Sequence, residues 1–374
     1  MVYHGNFAVE FDRKKNISSL IELSIKGLSA MFDRPSHLFC FKAKTYHEGA
    51  FLRHTLISLL GLYRYEKCYG RYILNITDEV EYHNSNIDSF TSGGDIGLLL
   101  WLTALCKPEK IETTLEACRW EKLKQIYPDI RQNRTMELSW LLTGYSYCAL
   151  RGRKSSIKKA SDDALKVYSY LKSNYGGRGI FRHQKPCSPK GWINSMMGSF
   201  ADQVYPIYAL TNYATVFDQK EAQYIALECA DTICRLQGPQ GQWWWHYNPK
   251  KGTVAGRYPV YSVHQEGMAP FPLFTLSKVT GRDYSDYIYK GLDWIRGENE
   301  LRYPMIDYEK NVVWRNIHNK KIYRRIEEFF NILGVPSFMI GKPDFMVLHE
   351  CWSYELGWLL YAFADETIIE MEKH

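Results

Sequence analysis

Two kinds of helix alternate along this chain, and that alternation limits its fold more than any single motif does. Read for apolar periodicity, the sequence divides into about twelve helical segments. One kind carries a single apolar stripe at three- and four-residue spacing, as in Ile157, Ala160, Ala164, Val167 and Leu171, or Ala222, Ile225, Ala226, Cys229, Ile233 and Leu236. Its other face belongs in water. The second kind is apolar nearly all round, as in IGLLLWLTALC (96–106), MELSWLLTGYSYCAL (136–150), FADQVYPIYAL (200–210) and CWSYELGWLLYAF (351–363), and calls for burial on every side.

In chain order the segments are outer 16–33, inner 47–67, outer 72–90, inner 93–106, outer 112–127, inner 134–150, outer 155–173, inner 199–217, outer 220–236, inner 264–280, outer 283–297 and inner 350–366. Six antiparallel hairpins of this kind satisfy their burial by closing into a ring, with one helix of each pair inside. An open solenoid is the alternative, but it needs end repeats with polar caps, and none is evident. The expected fold is therefore all-α, one domain over 1–374, with short β-hairpins on one face. Links from an outer to an inner helix include the long stretches 174–198, 237–263 and 298–349, whereas inner-to-outer links are short. Loops of that length are uncommon unless they are functional, so this face is the expected site.

Every inner helix begins at that face, and nearly all bring polar side chains to it. These are His47 and Glu48 with Arg53, Asp95, Arg134 and Glu137, Asp202, His264 and Glu266, and His349 and Glu350. Helix N-termini stabilise carboxylates, so each acid taken alone has a capping explanation. A mouth lined by four or more carboxylates and two histidines has no packing reason. Acid/base chemistry on a sugar needs such groups: an acid to protonate a leaving oxygen, and a carboxylate or histidine to activate water or remove a proton. Asp202 and Glu266 are the expected acid/base pair, with His264 as an alternative base, Asp95, Glu48 and Glu350 as orienting or secondary acids, and Arg53 and Tyr261 expected to hold the substrate. Aromatic faces suit sugar rings, and GQWWWHY (241–247) supplies Trp243, Trp244, Trp245 and His246, followed by Arg257, Tyr258 and Tyr261; Trp192 and Trp352 stand at other approaches. The three tryptophans also suit a plug at the end of the ring. Arg53, Arg134 and Arg257, with a formal charge of +6, favour an anionic sugar such as a uronate.

HQEGMAPFPLFTLSKVTGRDYSDYIYKGLDWI (264–295) runs from an inner helix through a Thr-Gly turn into a Tyr-rich outer helix. With six hairpins and acids at the inner starts, it resembles the (α/α)6 toroids of carbohydrate enzymes: unsaturated glucuronyl hydrolases, N-acylglucosamine 2-epimerases and the helical domain of glucuronyl C5-epimerases. The resemblance implies a hydrolase, lyase or epimerase acting on a sugar or oligosaccharide, with no catalytic residue carried over. ADTICRLQGPQGQWW (230–244) resembles the QW repeat of terpene cyclases and prenyltransferase-like toroids, which keeps an isoprenoid enzyme as the alternative. The aspartate-rich acid of those cyclases is missing, and SDDAL (161–165) falls on an outer helix where its carboxylates are expected in water. A non-catalytic scaffold is the third class; it would tie its acids up in caps and salt bridges.

Other signals exclude more than they suggest. The nine cysteines form no CxxC pair and lie in apolar stretches, which reads as reduced thiols in a cytoplasmic protein. The amino terminus lacks an apolar signal core, and no window reaches a membrane span. Without a dense Lys/Arg block, no nucleic-acid groove is indicated. Asp202, His264 and Cys351 lack the spacing that would compel a zinc site, GGRG (176–179) lacks the setting of a phosphate cradle, and no nucleotide-binding motif occurs, so neither metal nor cofactor is expected.

Overall fold

A computed structural model describes residues 3–40, 51–185, 195–320 and 343–371. Fourteen α-helices occur among these residues. The outer set is α1 (Tyr3–Met31), α3 (Ile76–Ser85), α5 (Ile111–Ala117) with α6 (Trp120–Ile126), α9 (Lys154–Ser173), α11 (Lys220–Arg235) and α13 (Ser285–Arg296). The inner set is α2 (Leu52–Tyr69), α4 (Gly93–Cys106), α8 (Thr135–Arg151), α10 (Ala201–Phe217), α12 (Pro270–Thr280) and α14 (Ser353–Met371); the single turn α7 (Pro128–Arg131) precedes α8.

The inner helices pack in sequence, α2 on α4, α4 on α8, α8 on α10, α10 on α12 and α12 on α14, and then α14 packs on α2. That last contact closes the ring and removes the open solenoid. Glycine makes the seam this tight: a Cβ on Gly61 of α2 would stand 2.2 Å from the carbonyl oxygen of Gly357 of α14. Gly144 of α8 lies as close to α4, where its Cβ would be 2.6 Å from the Gly97 carbonyl oxygen. Aromatic side chains fill the axis. Phe271 stacks on Trp358 at 4.6 Å, the Trp358 indole donates to the Tyr205 hydroxyl (3.1 Å), and the Tyr208 hydroxyl bonds those of Tyr147 (2.9 Å) and Tyr361 (2.8 Å). Full burial of each such ring contributes about 1.5–3 kcal/mol.

Two expectations are corrected here. The outer segment 112–127 is not continuous: the chain is extended at Arg119 (ψ 139°), and the Arg119 guanidinium and the Trp120 N–H both turn onto Asp163 of α9. That same contact corrects the view of SDDAL, because Asp163 is buried although Asp162 is exposed.

Because each inner helix is the second arm of its hairpin, all six start at the same end of the ring. The long links fold over that end as short strands. Gly198–Ser199 (β3) pairs with His246–Asn248 (β4), which pairs with Thr253–Gly256 (β5). Val260–Tyr261 (β6) and Phe345–Leu348 (β10) flank Asn316–Asn319 (β9). Elsewhere Phe32–Asp33 (β1) pairs with Leu38–Phe39 (β2), and Ile306–Asp307 (β7) with Val312–Val313 (β8).

Candidate active site

Each inner helix brings a charged or titratable side chain to the end where it begins. From α2 comes Arg53, whose Nε donates to Asp95 of α4 at 2.7 Å while Nη2 donates to Ser92 (2.9 Å) and lies 4.0 Å from Glu137 of α8. Burial pushes Asp95 and Glu137 up from their ordinary values, and the Arg53 charge opposes that shift in both. Asp95, expected as a secondary acid, is thus committed to Arg53. Glu137 keeps Oε2 buried with no hydrogen-bond partner among the described residues.

Asp202 begins α10 and is fully buried. Its Oδ2 accepts from the Ser199 N–H (2.8 Å), the Ser199 hydroxyl (2.7 Å) and Nδ1 of His183 (3.1 Å), while Oδ1 has no partner among the described residues. The Asp202 charge raises the His183 pKa above its ordinary value, so this half-buried imidazole favours the protonated form. His183 lies on the 174–198 link, held by its carbonyl to the Thr135 N–H at the start of α8 and by its N–H to the Met197 carbonyl. It was not evident in the sequence, since it sits among the polar residues Arg182, Gln184 and Lys185 rather than at a helix start.

His264, Gln265 and Glu266 lie in a π-helical turn, His264–Met268, that leads into α12. Pro270 and Pro272 have no N–H for the carbonyls of Glu266 and Met268, so the regular ladder cannot form there; the Ala269 N–H instead reaches back to the His264 carbonyl (3.2 Å). Pro206 stands in the same relation to Asp202, so both expected catalytic acids sit one turn ahead of a proline. His264 is enclosed by Phe200 (4.4 Å), Tyr261 (5.2 Å) and Trp245 (5.8 Å, nearly parallel), and burial lowers its pKa to about 3. It is neutral at physiological pH and a weak base. Glu266 is fully enclosed with neither carboxyl oxygen partnered among the described residues, and burial, reinforced by the charge of Glu355, pushes it well above the ordinary carboxylate range. Burial thus favours its neutral, carboxylic-acid form.

From α14 comes Glu355, which accepts from Nη1 of Arg315 (2.8 Å) and the Trp352 N–H (3.1 Å). Burial raises it to about 7 against the pull of Arg315. The Arg315 guanidinium lies 3.0 Å over the Trp352 ring and 5.1 Å from that of Tyr261. His54 joins the two halves: burial, with the charges of Arg315 and Arg53, lowers it to about 3, and it stacks on Tyr354 (4.7 Å) beside Trp352 (5.4 Å).

The expected residues are therefore arranged in two neighbouring groups. Asp202 belongs with His183, Glu137, Arg53 and Asp95; Glu266 belongs with Glu355, Arg315, Tyr261 and Trp352. Glu350 accepts from the Trp352 indole (3.1 Å). Trp244, Arg257 and Tyr258 stand apart in a stitched knot. The Trp244 indole closes the carboxyl end of α11 through the Leu236 carbonyl (2.9 Å), Arg257 is exposed beside that ring, and the Tyr258 hydroxyl and Gln242 both donate to Glu300. Trp245, half-buried between His246 and Tyr261, takes the place at the mouth expected of Trp244. Glu48, Trp192 and His47 lie outside the described residues. Among those described, no group of three or more His, Cys, Asp and Glu side chains is placed to hold a metal ion, and no helix is long and apolar enough to cross a membrane.

No family model and no curated protein matches the sequence. Solved structures match along nearly its whole length. An unsaturated glucuronyl hydrolase specific for heparin superposes with a TM-score of 0.59 at 13% identity, over 96% of this chain and 98% of that one. A glycosyl hydrolase family 88 protein from Bacteroides vulgatus gives 0.58 at 10% identity, over 95% and 99%. A sugar epimerase from a ruminal bacterium gives 0.62 at 9% identity, over 94% and 98%. The chain is an (α/α)6 toroid. At these identities the likeness is one of fold, and the chemistry rests on this chain's own residues.

Proposed function

We propose that this toroid is a carbohydrate-active enzyme that transfers protons on an anionic sugar or oligosaccharide, by hydrolysis, elimination or epimerisation. The observation that carries the reading is the gathering of six inner-helix starts around buried acids, three of which, Glu137, Asp202 and Glu266, hold carboxyl oxygens without partners among the described residues. Native proteins leave few buried polar atoms unsatisfied, and a catalytic role is one reason for the exceptions. Glu266, whose burial favours the protonated form, is suited to donate a proton to a leaving oxygen. Asp202, with its charge shared by His183, is suited to activate water or to steady an imidazolium that exchanges a proton with a sugar carbon. Trp245, Tyr261 and Trp352 offer ring faces for stacking, and Arg53, Arg134 and Arg315 make the mouth electropositive.

The test incubates the purified chain with unsaturated uronyl disaccharides, following loss of the double-bond absorbance, and with aldoses and uronates in deuterated water, following deuterium uptake by NMR. Turnover in one assay is expected, with loss on Asp202→Asn or Glu266→Gln and little change in melting temperature. No turnover in either assay, or unfolding of both variants, sinks the proposal. The aromatic column beneath the acids, Trp140, Tyr205, Phe271 and Trp358, is what an isoprenoid enzyme would use, and release of diphosphate from prenyl diphosphates would favour that reading instead.

A further inference from the structure

Glu266 and Glu355 form a pair that the proposed chemistry does not by itself explain. Both side chains are fully enclosed, and they belong to elements packed against each other: Gly267 lies against Trp358 and Leu359 of α14, where a Cβ would meet the Trp358 side chain at 2.6 Å. Their surroundings differ. Glu355 has a donor on each oxygen, the Arg315 guanidinium on one and the Trp352 N–H on the other. Arg315 is itself fixed by the Trp352 and Tyr261 rings. Among the described residues Glu266 has no donor on either oxygen. Two carboxyls that share a dry site cannot both ionise readily, and the charge settles on the one with the cation and the N–H.

We propose that Glu355, anchored by Arg315, is a positioning residue that holds the neighbouring Glu266 in its acid form and so keeps a proton ready for donation. The proposal rests on the sugar reading for its purpose, though not for its test. Besides Glu355, the titratable group facing Glu266 from α14 and the residues just before it is the Cys351 thiol, which burial keeps protonated; on its own turn stands His264, neutral as shown above. Gly291 of α13 lies against Gln265 of this turn. Glu355 thus supplies the charge that acts on Glu266, consistent with its part in raising Glu266.

Infrared difference spectroscopy of the full chain tests this without any substrate. The protonated-carboxyl band that disappears in Glu266→Gln belongs to Glu266. In the wild type it should be present at neutral pH, and in Glu355→Gln it should titrate roughly one pH unit lower, a tenfold change in the protonation constant. Because Glu355→Gln leaves Arg315 unpaired, the double variant Glu355→Gln/Arg315→Met removes both buried charges at similar volume and should show the same direction of shift. Absence of the band from the wild type at neutral pH, or a band unmoved in both variants, overturns the proposal and makes Glu355 a structural partner of Arg315 alone. If turnover is also found, Glu355→Gln should move the alkaline limb of the rate profile to lower pH, whereas a purely structural role would scale the rate equally at every pH. Lack of turnover would refute the sugar reading and leave the infrared result to stand or fall by itself.

Discussion

Gly61→Ala loads the seam that closes the ring. The new Cβ would lie 2.2 Å from the Gly357 carbonyl oxygen and 2.9 Å from its carbon, and backbone cannot swing aside as a side chain does. Ordinary contact needs more than 3 Å, so α2 and α14 must part by about 1 Å along a packed interface, at the upper end of the roughly 1–3 kcal/mol cost of overpacking. Alanine returns about 1 kcal/mol of helix propensity. The net loss is about 2 kcal/mol. An unfolding entropy of about 2.1 cal/mol/K per residue over 374 residues gives about 0.8 kcal/mol/K, so the melting temperature should fall by about 2–3 °C. Calorimetry and urea unfolding measure both quantities. The same variant should weaken ligand binding, because the seam sets His54 of α2 against Trp352, just before α14, and Tyr354 of α14. An unchanged or more stable Gly61→Ala protein would refute the reasoning, since it would mean that the first and last inner helices do not touch there and the ring is open.

Adjacent tryptophans should separate cleanly. Trp244→Ala should cost about 3–5 kcal/mol of stability by emptying a buried, hydrogen-bonded site, whereas Trp245→Ala should cost much less and instead weaken binding of an anionic disaccharide followed by tryptophan fluorescence. His54 and His264, both lowered to about 3, and His83, lowered to about 4, bind protons more readily unfolded than folded. Their stabilising effect is complete above the unfolded value of about 6.5 and is lost as pH falls toward the folded values, at up to about 1.4 kcal/mol per pH unit for each. The urea midpoint should therefore drop less between about pH 6.5 and 4 in His54→Gln/His264→Gln than in the wild type, and equal slopes would contradict the burial of neutral imidazoles. His183 has the opposite sign: raised by Asp202, it stabilises fully below its unfolded value, and that contribution fades as pH rises through the folded one. Asp202→Asn should abolish the effect, as read from the His183 proton shifts by NMR.

Helices that are apolar all round leave little freedom, which is why α4, α8, α10 and α14 could be placed from sequence and why polar residues at their starts stood out. Outer stripes were equally plain, except where a tertiary bond intervened: nothing local to residues 112–127 shows that Asp163 will draw Arg119 and the Trp120 N–H out of the helix. The site was legible only where it rides on helix starts. His183 and Arg315 come from links, and their roles depend on partners 19 and 40 residues away, Asp202 and Glu355. Glu355 itself carried a signal, a lone carboxylate within CWSYELGW. Consecutive tryptophans in an irregular stretch point in directions set by β4 and β5, so sequence alone could not say that Trp244 stitches while Trp245 lines the mouth.

A crystal structure of the Glu266→Gln protein soaked with an unsaturated uronyl disaccharide tests the shared mouth most directly. The sugar should lie between His183–Asp202 on one side and residue 266 on the other, with a ring against Trp245 or Trp352 and its anionic group toward Arg53 or Arg315. Density confined to the outer surface, or a mouth left empty at saturating ligand, would contradict the account.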